Sequence, residues 1–480
     1  MENYLLSQSN SLLLVIIISL IFSFLGIFYS KQFKGLSNYL TANRNIESFS
    51  LTLSLVASAL GAWILFGPAS AATWGGMGAV IGYALGTAFP MIAFIFLGKK
   101  IRKDFKKGST LIEFVRKKFG KSLFKLVLLM SIFYMFIFLC AELTAVAYLI
   151  NYISGTELWI TSLIIIISTL VYTLYGGLRA SIFTDNIQMI VIFILLIVSF
   201  NYILNFNNDQ FSLSFIKEKN PHLISANYVP SYTAGLTFFI AVAATNLFHQ
   251  GNWQRVYAAK NYETLKKSLL ISFFIIVPIV FFMGFTGLVA ISINSKIIPD
   301  LGFFTLLLNE NTKFISLLII ILALALTIST VDTLINAITS LIVVDGKATF
   351  NLNKKTDYLK LSKYIIVGLS LIAFYVASKG FSILYLFLLA DLFCCAFVIT
   401  IFYSFYYKRL NEKFAYRAIM IGLIGGFLLF PSPDFSKSLL VGTIIQKDLF
   451  NPFISQSLLF LSFVIATFLP AIYLKLKKID

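Results

Sequence analysis

Apolar residues in this chain neither alternate nor form narrow amphipathic stripes. They run on almost unbroken for about 20 residues at a time, the length of helix that crosses the hydrocarbon core of a bilayer. Thirteen such runs lie near 11–29, 50–75, 78–98, 123–150, 157–175, 186–204, 233–250, 268–293, 314–345, 362–378, 381–406, 414–430 and 453–475. A membrane β-barrel would instead alternate polar and apolar positions over about 10 residues. The pattern predicts an all-α polytopic membrane protein of about 13 transmembrane helices. Runs 123–150 and 314–345 exceed the bilayer thickness, so they are expected to tilt, bend or project from it. The longest loops, near 205–232 and 346–361, are connectors in size and leave no output domain for a receptor or sensor kinase.

Two runs are interrupted in an informative way. An unpaired backbone group in lipid costs several kcal/mol, so a broken helix persists only where it lines a cavity or is buried in protein. Residues 48–75 read SFSLTLSLVASALGAWILFGPASAATWG, with Gly61 and Gly67-Pro68 as weak points and Ser54, Ser58 and Ser70 as a polar stripe. Pro68 also removes a backbone donor. Run 233–250 passes into ATNLFHQGNWQRVYAAKN and ends among Asn246, His249, Gln250, Gly251 and Asn252. Each of these segments opens a block of five runs, 50–204 and 233–406. Two halves that each begin on an interrupted helix point to an inverted-repeat transporter; two helices that merely bend is the plainer alternative. The domain plan is then an extra helix and inner loop over 1–49, a first repeat over 50–204, an outer loop over 205–232, a second repeat over 233–406, and two further helices over 407–480.

Composition strengthens this picture: 59% of the 480 residues are hydrophobic and 12% charged, against about a quarter charged in soluble domains. A net charge of +18 would suggest nucleic acid if it were clustered. It is instead distributed by loop. With the N-terminus outside, 30 Lys and Arg fall on inner segments or adjoining span ends and 7 on outer ones, with Lys125 just inside a span. That asymmetry is the one that orients helices in a bilayer, so nucleic acid is not an expected partner and the lipid bilayer is. Met1–Asn10 carries no Lys or Arg, unlike the basic start of a cleaved secretory signal. An uncleaved first helix in a bacterial inner membrane, with the C-terminus cytoplasmic, is the expected topology. Cys140, Cys394 and Cys395 sit in apolar runs as buried thiols, and no metal-ligand spacing appears.

A third informative run, the long one at 314–345, contains LTISTVDTLINAITS. Ser329 and Thr333 lie one turn apart, Asn336 follows on the same face, and Thr330 adjoins them. Hydroxyl and carbonyl oxygens are the ligands a small hard cation takes, although Ser and Thr also serve simply to let helices pack closely. Glu142, Asp332 and Asp391 fall within runs, where a charge marks a pathway, a partner pair or a cavity. Both Asp residues could instead sit at wet helix ends. Arg179 and Asp185 flank the expected inner loop YGGLRASIFTD, as solvated groups or as a local ion pair. His249, beside a helix break, could shuttle protons or donate one hydrogen bond.

Three stretches resemble the sodium:solute symporter family. LVYTLYGGLRASIFTDNIQMIVIF, with Gly176, Gly177, Thr184, Asp185 and Gln188, resembles the family signature. LTISTVDT, 326–333, looks like the sodium-site helix of the proline-type branch, and QRVYAAKN, Gln254–Asn261, is similar to the segment after the second broken helix. The resemblance covers essentially the whole chain. It implies a five-plus-five inverted repeat of the LeuT type, with Na⁺ held by the Ser329 and Thr330 side chains and the carbonyls of Ala57, Leu60 and Leu326. Substrate would sit between the broken helices near Ser58, Trp63, Phe66, Asn246, His249 and Gln250, positions assigned by location rather than by motif. Glu142, Asp185, Asp332 and Asp391 remain as buried charges with gating roles. In one place the chain departs from the proline type: Ala59 stands where those members carry Asp, so a carboxylate near the sodium is expected to be missing and proline is a doubtful substrate.

The expected function is secondary active import of a small polar organic solute, an amino acid such as proline or another metabolite, with Na⁺ as co-transported ion and no organic cofactor. No Ser-His or metal constellation supports an enzyme. The rival expectations are proton coupling through Glu142, Asp332 or Asp391, an ion-independent facilitator, and a sensor on the same fold, for urea, choline, a carboxylate or a sugar. Stoichiometry and oligomeric state are not legible.

Overall fold

The computed structural model describes residues 4–33, 35–206, 209–308, 313–349, 357–407, 409–435, 437–442 and 457–477, and among these the chain is helical with no strand. Among the described residues, ten helices are long and apolar enough to cross a membrane. The other expected runs also fall on helices. Run 50–75 is divided between Ser48–Ala59, a short 3-10 turn Ala62–Leu65, and the start of Gly67–Asp104. Runs 157–175 and 186–204 share the helix Leu158–Phe206. Run 414–430 falls on Glu412–Leu429, whose Glu412, Lys413 and Arg417 lower its apolar character. The first residues of run 453–475 lie outside the described residues, and Ser457–Leu476 carries the rest.

Two expected loops are not loops. The break after 75 is one residue, Gly76 (φ 59°, ψ −157°), and the inner loop 176–185 reduces to Gly177 (φ 62°, ψ −154°). A continuous helix of 49 residues would measure about 74 Å, over twice the hydrocarbon thickness, so each break divides a long helix into two legs. Only glycine adopts this region of backbone space at low cost. Both positions are the second member of a Gly-Gly pair, and both are crowded: a Cβ on Gly177 would lie 2.5 Å from the Tyr39 ring. Gly177→Ala should therefore cost at least about 1–3 kcal/mol. Gly368→Ala, at an open position inside the helix Tyr358–Ala377, should be neutral or mildly stabilising. The thermal midpoints of the two purified variants test this; equal midpoints would refute it.

The interior is built around Ser48–Ala59 and Lys313–Leu341. Residues 51–72 are buried without interruption, as are 322–343 of the second helix and its extension. Lys313–Leu341 packs on Ser48–Ala59, on Lys121–Ser154 and on Leu158–Phe206. The 67–104 helix packs along Tyr262–Ile293 and Val229–Phe248. Gln8–Ser30, only a third buried in its most apolar window, lies outside this group against Leu158–Phe206, and Glu412–Leu429 pairs with the last helix. The most polar apolar runs thus occupy the centre, where their hydroxyls meet one another rather than lipid.

Candidate functional site

The two interrupted helices meet at their breaks. The first stops at Ala59; Leu60 and Gly61 are extended, and the chain re-enters as the 3-10 turn at Ala62. Helix ends leave carbonyls and amides without intrahelical partners. Here the Ala62 amide donates to Glu142 Oε2 at 2.9 Å, and among the described residues no backbone amide bonds the carbonyls of Ala57 or Leu60. Gly61 makes the arrangement possible. A Cβ there would collide with Glu142 Oε1 and approach Thr330 Oγ1 to 2.8 Å, so both oxygens crowd one point beside the break. Glu142 Oε1 has no hydrogen-bond partner.

The second helix stops at Phe248. His249 is extended (φ −60°, ψ 108°), and Gln250–Ala258 continues beyond it. Side chains from the segment after the break cap the freed carbonyls of the segment before it: Asn252 Nδ2 donates to Asn246 O at 3.0 Å and Trp253 Nε1 to Leu247 O at 2.8 Å. Ser58 Oγ donates to Asn252 Oδ1 at 2.8 Å and ties the two breaks together.

Below the first break a charged network fills the protein. Ser329 Oγ donates to Asp185 Oδ1 at 2.7 Å, and Thr330 Oγ1 donates to Leu326 O at 3.1 Å. Each hydroxyl spends its proton on an acceptor and keeps its lone pairs for another group. Asp185 Oδ2 accepts from Arg255 Nη2 at 2.6 Å and from Ser54 Oγ at 2.6 Å. Arg255 also donates to Ser54 O, Gly251 O and Thr333 Oγ1. Asp332 accepts from Tyr172 OH at 2.6 Å and Ser181 Oγ at 2.7 Å, with Thr184 and Thr333 at 3.3 Å. Asp185, Arg255 and Asp332 are all fully buried. Two carboxylates against one guanidinium leave one formal negative charge when both are ionised.

Several sequence expectations change here. Asp185 is neither a loop group nor the partner of Arg179, which lies over the Phe33 ring at 4.1 Å; the helix continues past Gly177 and carries Asp185 into the interior. Ala59 carries no carboxylate, but two from other helices lie close by: Asp185 accepts from Ser329, and Glu142 lies beside Gly61 and Thr330. Asp332 and Asp391 are interior groups, not wet helix ends. The substrate expectation divides. Ser58, Trp63, Asn246 and His249 line one cavity, with Asp391, which no sequence reading had joined to them. Phe66 packs instead on Phe304 at 5.1 Å between ring centres. Gln250 turns away from the cavity, with Nε2 on Ser109 O and Oε1 accepting from Leu111 N. Arg255 is the residue of this buried network that the sequence undervalued. Its one signal was a lone arginine in a stretch already noted for resemblance. Tyr83 and Phe387 gave no signal among so many aromatics.

Membrane-length helices around a cavity lined by two broken helices that meet at it place the chain in the class of membrane transporters. Residues 39–422 match the profile of the sodium:solute symporter family, and the chain belongs to that family. It is similar to a spermidine transporter of Candida albicans, 26% identical over 381 residues covering 78% of this chain and 71% of that protein. It is also similar to a sodium/glucose cotransporter of Vibrio parahaemolyticus, 31% identical over 34% of this chain and 31% of that one. A urea active transporter of Saccharomyces cerevisiae is 23% identical over 50% of this chain and 34% of its own length. The last two matches thus span about a third of each relative. Among solved structures, a Na⁺-coupled sialic acid symporter in a substrate-bound outward-open state superposes with a TM-score of 0.72 at 17% identity, covering 96% of this chain and 97% of that one. A nucleobase-cation-symport-1 transporter gives 0.55 at 14% identity, over 93% and 97%. These likenesses give the chain the LeuT-type transporter fold.

Proposed function

We propose that the protein is a sodium-coupled symporter that imports a small polar organic solute by alternating access. The observation that carries this reading is the pair of hydroxyls at Ser329 and Thr330, their protons directed away, on the helix packed against the unpaired Ala57 and Leu60 carbonyls. Those oxygens, with the Leu326 carbonyl, are the hard donors that a small monovalent cation takes, and Asp185 behind Ser329 orients its hydroxyl as outer partners orient metal ligands. Names among the relatives and structural neighbours include Na⁺ coupling to glucose and to sialic acid, while others carry spermidine or urea.

Sodium would enter from outside and hold the first broken helix against Lys313–Leu341, favouring the outward-open state. A ligand shifts such an equilibrium only by its differential affinity for the two states. The membrane potential adds about 2.3 kcal/mol per charge per 100 mV. Residues 50–204 and 233–406 would be the two repeats that move against each other, in a plasma membrane with the N-terminus outside and the C-terminus inside.

The test is thermal stability of the detergent-purified protein in NaCl against KCl, since a ligand that binds only the folded state raises stability by mass action. Sodium should raise the midpoint, and Ser329→Ala should shift the half-maximal sodium concentration upward about tenfold, equivalent to about 1.4 kcal/mol. Equal midpoints in the two salts would sink the reading. Uptake into liposomes driven by a pH gradient in sodium-free buffer would then favour proton coupling, for which the unpartnered Glu142 Oε1 is the supporting observation.

A further inference from the structure

We propose that the central cavity takes an organic cation and that Asp391 is the counter-ion of its ammonium group. This names the solute class of the symporter proposed above and rests on that reading.

Asp391 lies near the middle of Ile383–Tyr403, 5% exposed. One oxygen, Oδ1, accepts from Thr245 Oγ1 at 2.6 Å. Its other oxygen takes no hydrogen bond among the described residues, and no Lys, Arg or His there pairs with it. A carboxylate held in the membrane interior is costly unless something neutralises it. The other buried carboxylates are each met within the protein at one oxygen or more: Asp185 by Arg255, Asp332 by hydroxyl donors, Asp345 by the Thr110 hydroxyl, and Glu142 by the Ala62 amide. Asp391 alone among these five faces the cavity, so its neutralising charge is to be found in what the cavity binds.

The rest of the wall agrees. Trp63 and Tyr83 stack at 5.6 Å between ring centres, and Phe138 meets Phe387 edge to face at 4.7 Å. All four rings line the same cavity as Asp391. Aromatic faces attract ammonium groups, and rings beside a carboxylate suit a cation whose charge lies next to apolar carbon. No Lys or Arg lines the cavity, so an anionic solute would find only the charge of Asp391. A polyhydroxylated solute fits poorly as well. The hydroxyls of Ser58 and Thr245 and the amide nitrogen of Asn246 are already committed to protein acceptors. The His249 ring remains uncommitted. It is 2% exposed with both ring nitrogens unpartnered, and a neutral imidazole offers one acceptor to an N–H of the cation.

The experiment uses the full-length purified protein in NaCl, with thermal midpoint as readout. Spermidine, putrescine and choline are the cationic probes, urea and glucose the neutral ones, and glutamate the anionic one. At least one cation should raise the midpoint, and the neutral and anionic probes should not. Asp391→Asn keeps an oxygen for Thr245 and should weaken the effective cation at least tenfold. The sodium response of the same sample reports that it is folded. Asp391→Glu retains the charge, should retain cation stabilisation, and takes over as the test if the amide variant does not fold. Stabilisation by a neutral or anionic probe in place of the cations overturns the proposal while leaving the symporter reading intact. So does undiminished cation binding by Asp391→Asn, or loss of it in Asp391→Glu. Absence of any sodium response is a separate result that counts against the symporter reading itself.

Discussion

Arg255→Met should be among the most damaging single substitutions in the protein. The guanidinium is fully buried and makes hydrogen bonds to Asp185, Ser54, Gly251 and Thr333. Removing it leaves the Asp185 carboxylate uncompensated, close enough to Asp332 that Thr333 touches both Asp332 and the arginine. Breaking a buried pair by deleting one partner costs about 3–5 kcal/mol, while replacing both charges with uncharged groups of similar size is often close to neutral. The single variant is therefore expected to lose most of its folded yield or to unfold at a much lower temperature. Arg255→Met combined with Asp185→Asn should recover a large part of the loss. Thermal midpoints of the single and double variants in detergent measure this. A single variant as stable as the parent, or a double variant worse than the single one, would show that the network is not an electrostatic unit.

Glu142 should separate two roles that its two oxygens play. Oε2 accepts the Ala62 amide at the first break, while Oε1 has no partner and crowds Gly61 beside Thr330. Glu142→Ala leaves a buried backbone donor without an acceptor, a loss of about 1–3 kcal/mol, and leaves the turn at Ala62–Leu65 without its anchor. Both stability and sodium response should fall. Glu142→Gln still offers an amide oxygen to Ala62, so it should fold, but it removes the ionisable carboxyl next to Thr330. Its half-maximal sodium concentration should rise about tenfold or more, equivalent to at least about 1.4 kcal/mol. Sodium titrations of the midpoint distinguish the cases. If Glu142→Gln titrates like the parent, the ionisable carboxyl is irrelevant to sodium and Glu142 acts only as a cap.

The legible and illegible parts of the site divide along chemical lines. Hydropathy and basic-residue asymmetry located the helical runs, because lipid imposes the same demand on each segment regardless of its neighbours. The interruptions at Gly61 and around His249 were visible because a broken helix in an apolar run needs residues that tolerate it. The hydroxyl face of 326–333 was visible because helical spacing alone puts Ser329 and Thr333 together. The loop expected at 176–185 was wrong for a local reason: a basic residue and an aspartate read as a solvated turn, yet a single positive-φ glycine makes the turn and the helix then runs on.

What the sequence determined by itself was the class of molecule, its helical segments, its two weak points, and one oxygen-rich helix face, since each follows from neighbours along the chain. Which buried charges meet was decided only in three dimensions. Asp185 is 70 residues from Arg255 and 144 from Ser329, and Asp391 is 146 from Thr245. Each pairing joins different helices, and no periodicity within one helix encodes it. The tertiary structure decided these contacts because a charge taken out of water must be met by whatever group packing brings to it, and packing brought Arg255 to Asp185 but left Asp391 facing the cavity.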